Sequence, residues 1–88
     1  MVTTNVRHLP LFEAEYKICE SLLHLFHAKG GELDVIHGYN FGTAIRRFVR
    51  HPRGLRRKLN ADYPELPSIM VRSVQPGLTK IAFTNGGK

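Results

Sequence analysis

An α+β fold, with helices packed on a mixed four-stranded sheet, is predicted by three features of this sequence. Residues 11–28 repeat their apolar side chains at helical spacing. A short strand candidate, Asn5 to His8, precedes that helix, and a run of strand length with an apolar interior, Glu32 to His37, follows it. Two more such runs close the chain around Pro76-Gly77, a pair suited to a turn between hairpin strands. The resulting order is β-α-β-α-β-β. A strand–helix–strand start calls for a parallel pair with a right-handed crossover, which the hairpin then extends.

Each element has its own signal. Residues 1–4 read as a flexible start, and Asn5 to His8 as a short first strand. Pro10 suits the first turn of a helix, where a missing N–H leaves no bond unmade. From Leu11 to Ala28 the apolar residues form two adjacent stripes: Phe12, Tyr16, Cys19, Leu23, Phe26 and Leu11, Ile18, Leu22, Leu25. Together they predict a wide buried face. Gly30 and Gly31 end the helix. Glu32 to His37 is a strand with Leu33, Val35 and Ile36 interior, and Gly38 to Gly42 a tight turn. Thr43 to Arg50 is a second helix, with Ala44, Ile45, Phe48 and Val49 inward and Arg46, Arg47 and Arg50 outward. Pro52 pushes His51 out of the helical region and stops it there. Between Arg53 and Asn60, Leu55 and Leu59 suit a helical turn, while the basic alternation suits an edge strand. Asp62 to Pro67 is a loop. Ile69–Val74 and Leu78–Phe83 pair as a hairpin through a type II turn. The domain spans residues 5–84, with 1–4 and 85–88 as flexible ends.

At 88 residues the chain has room for one domain. Hydrophobic residues at 42% and charged residues at 23% point to a globular chain rather than a disordered one. A single cysteine, Cys19, excludes an internal disulfide. It lies on the apolar stripe and reads as core. No run approaches a membrane span and no signal peptide is visible, so a cytoplasmic setting is expected. The net charge of +6 is concentrated. Residues 11–34 hold Glu13, Glu15, Glu20, Glu32 and Asp34 against Lys17 and Lys29. Residues 41–60 hold Arg46, Arg47, Arg50, Arg53, Arg56, Arg57 and Lys58 with no acid. A basic block of this kind attracts polyanions, nucleic acid above all.

Three constellations carry chemistry. Glycines at 38 and 42 permit close backbone approach, and Asn40 tolerates the left-handed region. Gly38, Tyr39, Asn40, Gly42 and Thr43 therefore form a turn that opens on unpaired helix N–H groups, with Arg46 and Arg47 one turn further on. His37 stands at the strand end beside it. A bland β–α turn with a cap would look similar; the basic helix behind it tips the reading to a phosphate site. Next, Glu20, His24 and His27 share one helix face at a spacing that can bind metal. Glu13 and Lys17 on the same stripe make it read as a charge-paired surface. No metal and no cofactor is expected. Last, His8 and His37 fall at the same sheet edge if the first two strands are parallel, a pairing suited to acid–base work on a phosphodiester.

At these residues the sequence resembles the small MutS-related (Smr) domain family, over residues 5–84. That family's second motif is a strand ending in His-Gly, then a Gly-rich turn into a helix near a Leu-Arg or Ile-Arg pair. Here it reads Val35-Ile36-His37-Gly38-Tyr39-Asn40-Phe41-Gly42-Thr43-Ala44-Ile45-Arg46. A closing Gly-x-Thr hairpin is matched by Pro76-Gly77-Leu78-Thr79-Lys80-Ile81. The first motif, Leu-Asp-x-His-Gly, falls on Asn5-Val6-Arg7-His8-Leu9, with Val6 in place of the aspartate and Leu9 in place of the glycine. Asn40 replaces a common glycine in the second. The resemblance implies a two-layer sandwich similar to the C-terminal domain of the third bacterial translation initiation factor. It also implies nucleic-acid binding, DNA or RNA, structured or branched, with nicking endonuclease activity in some members.

The expected function is nucleic-acid binding, with Gly38, Tyr39, Asn40, Gly42, Thr43, Arg46, Arg47 and Arg50 holding phosphates around His37. One alternative is a nicking endonuclease using His8 and His37, short of the carboxylate that Val6 replaces. The other is a protein-interaction module whose basic face meets an acidic partner.

Overall fold

In the computed structural model, residues 2–28, 30–38 and 43–84 are described, apart from the side chains of Thr43 and Pro52. Strand β1 is Val2–Asn5, helix α1 Leu11–His27, strand β2 Glu32–Ile36 and helix α2 Thr43–Arg50. A kinked helical turn at Pro52–Arg56 leads into α3, Arg57–Asp62. Strands β3, Ile69–Gln75, and β4, Leu78–Phe83, complete the sheet. The strand order is β1-β2-β4-β3, with β1 and β2 parallel and the other two pairings antiparallel. This is the α+β sandwich expected, with one helix more than the order read from the sequence. Among the described residues, no helix is long and apolar enough to cross a membrane.

The first strand lies three residues earlier than expected. Val2, Thr3 and Thr4 pair with Leu33, Asp34 and Val35, so residues 2–4 belong to the sheet. Two β-branched threonines and a valine favour that conformation. Asn5 ends it, because its Oδ1 accepts the Arg7 N–H at 3.2 Å and turns the chain. Residues 85–88 lie outside the described residues.

The buried side of α1 is Ala14, Ile18, Cys19, Leu22 and Leu25. Phe12 and Tyr16, expected inside, are 70% and 63% exposed, and Leu11 is exposed as well. A helix lying on a single sheet face covers one stripe, and the sequence offers two. Leu23 and Phe26 are half-buried, with Phe26 edge-on to Phe83 at 5.9 Å. Alternation along β2 sends Leu33 and Val35 into the core, while Ile36 is half-buried. Opposite them Thr79 and Ile81 point to the same layer. The other sheet face carries Lys80, which reaches Glu32 at 3.2 Å and Asp34 at 3.8 Å.

Ile45 and Val49 anchor α2, Phe48 packs partly against them, and Ala44 is exposed rather than inward. At His51 the backbone is extended, as the following proline requires. Residues 52–62 form a kinked turn, non-helical at Gly54, and then α3 rather than an edge strand, with Leu55 and Leu59 both buried in the core. Gly54 makes the junction possible. A Cβ there would run into the carbonyl of Phe48.

Candidate nucleic-acid interface

Parallel pairing of β1 with β2 brings the ends of both strands to one edge of the sheet, where the β3–β4 turn also arrives. The amides of His37 and Gly38 both donate to the Gly77 carbonyl, at 3.0 and 3.1 Å. A Cβ on Gly77 would stand 3.2 Å from the Gly38 Cα, a tight contact that would make the neighbouring backbone give by a few tenths of an ångström. Its φ is not positive, unlike that of Gly38 at 72°. The expected type II turn is therefore not formed. The pairing of Gln75 with Leu78 follows a register irregularity after Ser73, which reshapes the hairpin end.

His37 is fully buried at this edge. Its Nδ1 lies 2.9 Å from the Gly38 carbonyl and its Nε2 2.8 Å from Thr79 Oγ1. Because a carbonyl only accepts, Nδ1 carries the proton, and the neutral ring accepts the Thr79 hydroxyl at Nε2. Thr79, also buried, accepts in turn from Arg50 Nε at 2.8 Å. The chain of donors thus runs from Arg50 through Thr79 to His37 and ends on Gly38. Burial pushes the imidazole pKa below its ordinary value. The Gly38 bond opposes that, and the Arg50 and Arg46 charges reinforce it.

Arg50 is not the free surface arginine that its helical position suggests. Its Nη2 also donates to the carbonyls of Gln75 at 2.9 Å and Leu78 at 3.3 Å. It ties the end of α2 to the hairpin. The solvent-facing charges lie elsewhere: Arg47, Arg53 and Arg57 are exposed, Arg46 and Arg56 half-buried. Among the described residues, salt bridges involve only Lys58 with Asp62 and Lys80 with Glu32 and Asp34. None of these five arginines has a carboxylate within ion-pair distance among those residues. They lie close in sequence on α2, the kinked turn and the start of α3, and form a concentration of uncompensated positive charge among the described residues.

His8 is exposed in the turn after β1, where its Nε2 accepts from Arg7 Nε at 3.2 Å. Val6, where the resemblance would call for an aspartate, is fully buried and donates its amide to the Ile36 carbonyl at 2.9 Å. Tyr39, Asn40 and Gly42 lie outside the described residues, and for Thr43 only the backbone, which opens α2, is described. Among the described residues no group of three or more His, Cys, Asp or Glu side chains is placed to hold a metal ion. Glu20 and His27 are exposed on α1, and His24 is not buried in the core. Cys19 is buried, and burial pushes its thiol up to about 11, an inert core group.

Reading residue by residue misses Thr79 and Arg7 as parts of this edge. The Gly-x-Thr hairpin pattern is the signal that points to Thr79; for Arg7 there is none beyond its place beside His8. Comparison with known proteins brings no match, whether to a family model, a curated protein or a solved structure.

Proposed function

We propose that this chain is a nucleic-acid-binding domain of Smr type, which holds backbone phosphates on the arginines between residues 46 and 57. The observation that carries this reading is that five arginines between residues 46 and 57 have no carboxylate within ion-pair distance among the described residues. Guanidinium groups in that state match phosphate oxygens and release counterions on binding. Binding is favoured over cleavage because His37 is buried with both ring nitrogens bonded inside the protein. In this reading His37 is a positioning residue that ties the end of β2 to the hairpin through Gly38 and Thr79.

The test is a salt titration of binding to short DNA and RNA, single-stranded and duplex. Replacing Arg46, Arg47 and Arg53 together by Ala lowers affinity at least tenfold, or ~1.4 kcal/mol. It also flattens the slope of log K against log salt by up to about three on duplex, at ~0.9 for each phosphate no longer neutralised. Arg50→Ala behaves differently and lowers thermal stability, since it removes the tie between α2 and the hairpin. Supercoiled plasmid incubated with the protein stays closed. A folded triple variant with unchanged affinity and slope would refute the reading.

A further inference from the structure

We propose that the outward face of α1 is a docking surface for a second copy of this chain, and that it receives the arginine-bearing segment 46–57 of that copy. The inference goes beyond the nucleic-acid reading and stands without it, although both draw on the same arginines.

The face is apolar where water would favour polar groups. Phe12 and Tyr16 stand one helical turn apart and are the most exposed large apolar side chains among the described residues. With Leu9 they line an open groove of about 520 Å³, whose other walls are Glu13, Lys17 and Glu20. Two neighbouring aromatic rings left in water on one helix face mark an interaction surface, unlike a single scattered apolar residue. Covering them needs little ordering, because α1 is already held to the core by Ala14, Ile18, Leu22 and Leu25 on its other side.

Charge decides what covers the groove. Glu13 and Glu20 are exposed, and the pairing that the sequence suggests between Glu13 and Lys17 is not formed. Two acids beside one lysine give the groove a negative balance, which repels a phosphate backbone. It also disfavours a symmetric contact of α1 with α1, in which this patch would meet itself. The opposite sign is on the same chain. Arg47, Arg53 and Arg57 are exposed, and none has a carboxylate within ion-pair distance among the described residues. Guanidinium groups suit both parts of the groove: their planes stack on Phe12 and Tyr16, and their N–H forks take the Glu13 and Glu20 carboxylates. Acids and arginines that lack partners within one molecule thus find them in the next. A contact of one helix face with one short segment lies at the small end of interface sizes, so the association is weak and reversible.

Sedimentation velocity of nucleic-acid-free protein, from roughly 10 μM to 1 mM, tests this. The average mass is expected to rise above that of one chain as concentration increases. It falls back in about 0.5 M salt, where the screening length shrinks to roughly 4 Å. Phe12→Ala with Tyr16→Ala weakens association by about fivefold or more and leaves the melting temperature unchanged. Charge reversal gives the sharper result. Glu13→Lys with Glu20→Lys, and separately Arg47→Glu with Arg53→Glu and Arg57→Glu, should each leave the chain monomeric. Mixed, the two variants associate again, since each reversed surface now meets its opposite on the other. A mixture that stays monomeric overturns the proposal. If the wild type is monomeric across the whole range, the second copy is refuted and the α1 face is left to a different protein. If the arginine variant alone associates like the wild type, the contact joins α1 to α1 and the proposal also fails. Should a reversal variant unfold, Glu13→Gln with Glu20→Gln and Arg47→Gln with Arg53→Gln take its place, and unchanged association in either pair refutes the docking.

Discussion

His37 shows how a polar residue becomes core. Buried without partners it would cost several kcal/mol, about 1–3 for each unmet bond. Here Gly38 and Thr79 satisfy both nitrogens, and each bond in the run from Arg50 polarises the next. The arrangement dictates the Nδ1–H tautomer, which long-range nitrogen–proton NMR spectra report directly. It also dictates a direction with pH. The folded pKa is lowered, mainly by burial, so the unfolded chain takes up the proton first. The His37 contribution is fully present above the unfolded value of about 6.5 and is lost as pH falls from there through the folded pKa. Proton NMR of the ring should show it titrating below free imidazole. A ring that titrates at or above that value, or carries its proton on Nε2, contradicts the network.

Among the elements, the α2–α3 junction carries the sharpest demand. Pro52 ends α2, yet the next segment returns against it. Gly54 passes so close to the Phe48 carbonyl that no side chain fits between them. Gly54→Ala must therefore push α3 away or shift Phe48. Overpacking of this kind costs about 1–3 kcal/mol. In a domain this small each kcal/mol lowers the melting temperature by roughly 4–8 °C. Thermal unfolding followed by circular dichroism measures the drop; a variant melting with the wild type would show that the helices do not meet there. The same junction explains why residues 53–60 read two ways in the sequence. A glycine, a proline and alternating charge weaken the local helical signal, and burial of Leu55 and Leu59 supplies what it lacks.

For the whole molecule, the strand order decides which parts open last. β2 and β4 are central and paired on both sides, whereas β1 and β3 are edges. Amide exchange is expected to be slowest in residues 18–25, 33–36 and 79–82, where the core residues Ile18, Leu22, Leu25, Leu33, Val35 and Ile81 lie. Edge strands should exchange sooner. Fast exchange across residues 33–36 would contradict a central β2.

Elements with local signals are legible in the sequence alone. Glycines 30 and 31 end α1, Pro52 ends α2, and periodicity separates Leu11–His27 from the strand runs that flank it. The parallel β1–β2 start is legible too, since a strand–helix–strand passage has one favoured hand. Local signals cannot choose between competing faces. Which of two apolar stripes α1 buries depends on the sheet it meets, so Phe12 and Tyr16 are exposed only because Ala14, Ile18 and Leu22 fit that surface. Helical spacing marks Arg50 as outward, and only the hairpin's arrival beside it turns it into a tie. Gly77 likewise looks like a turn residue, but the close approach of Gly38 is what a side chain there would press on. Each of these outcomes depends on a contact between distant segments, and the chain has no such contact until the sheet has formed.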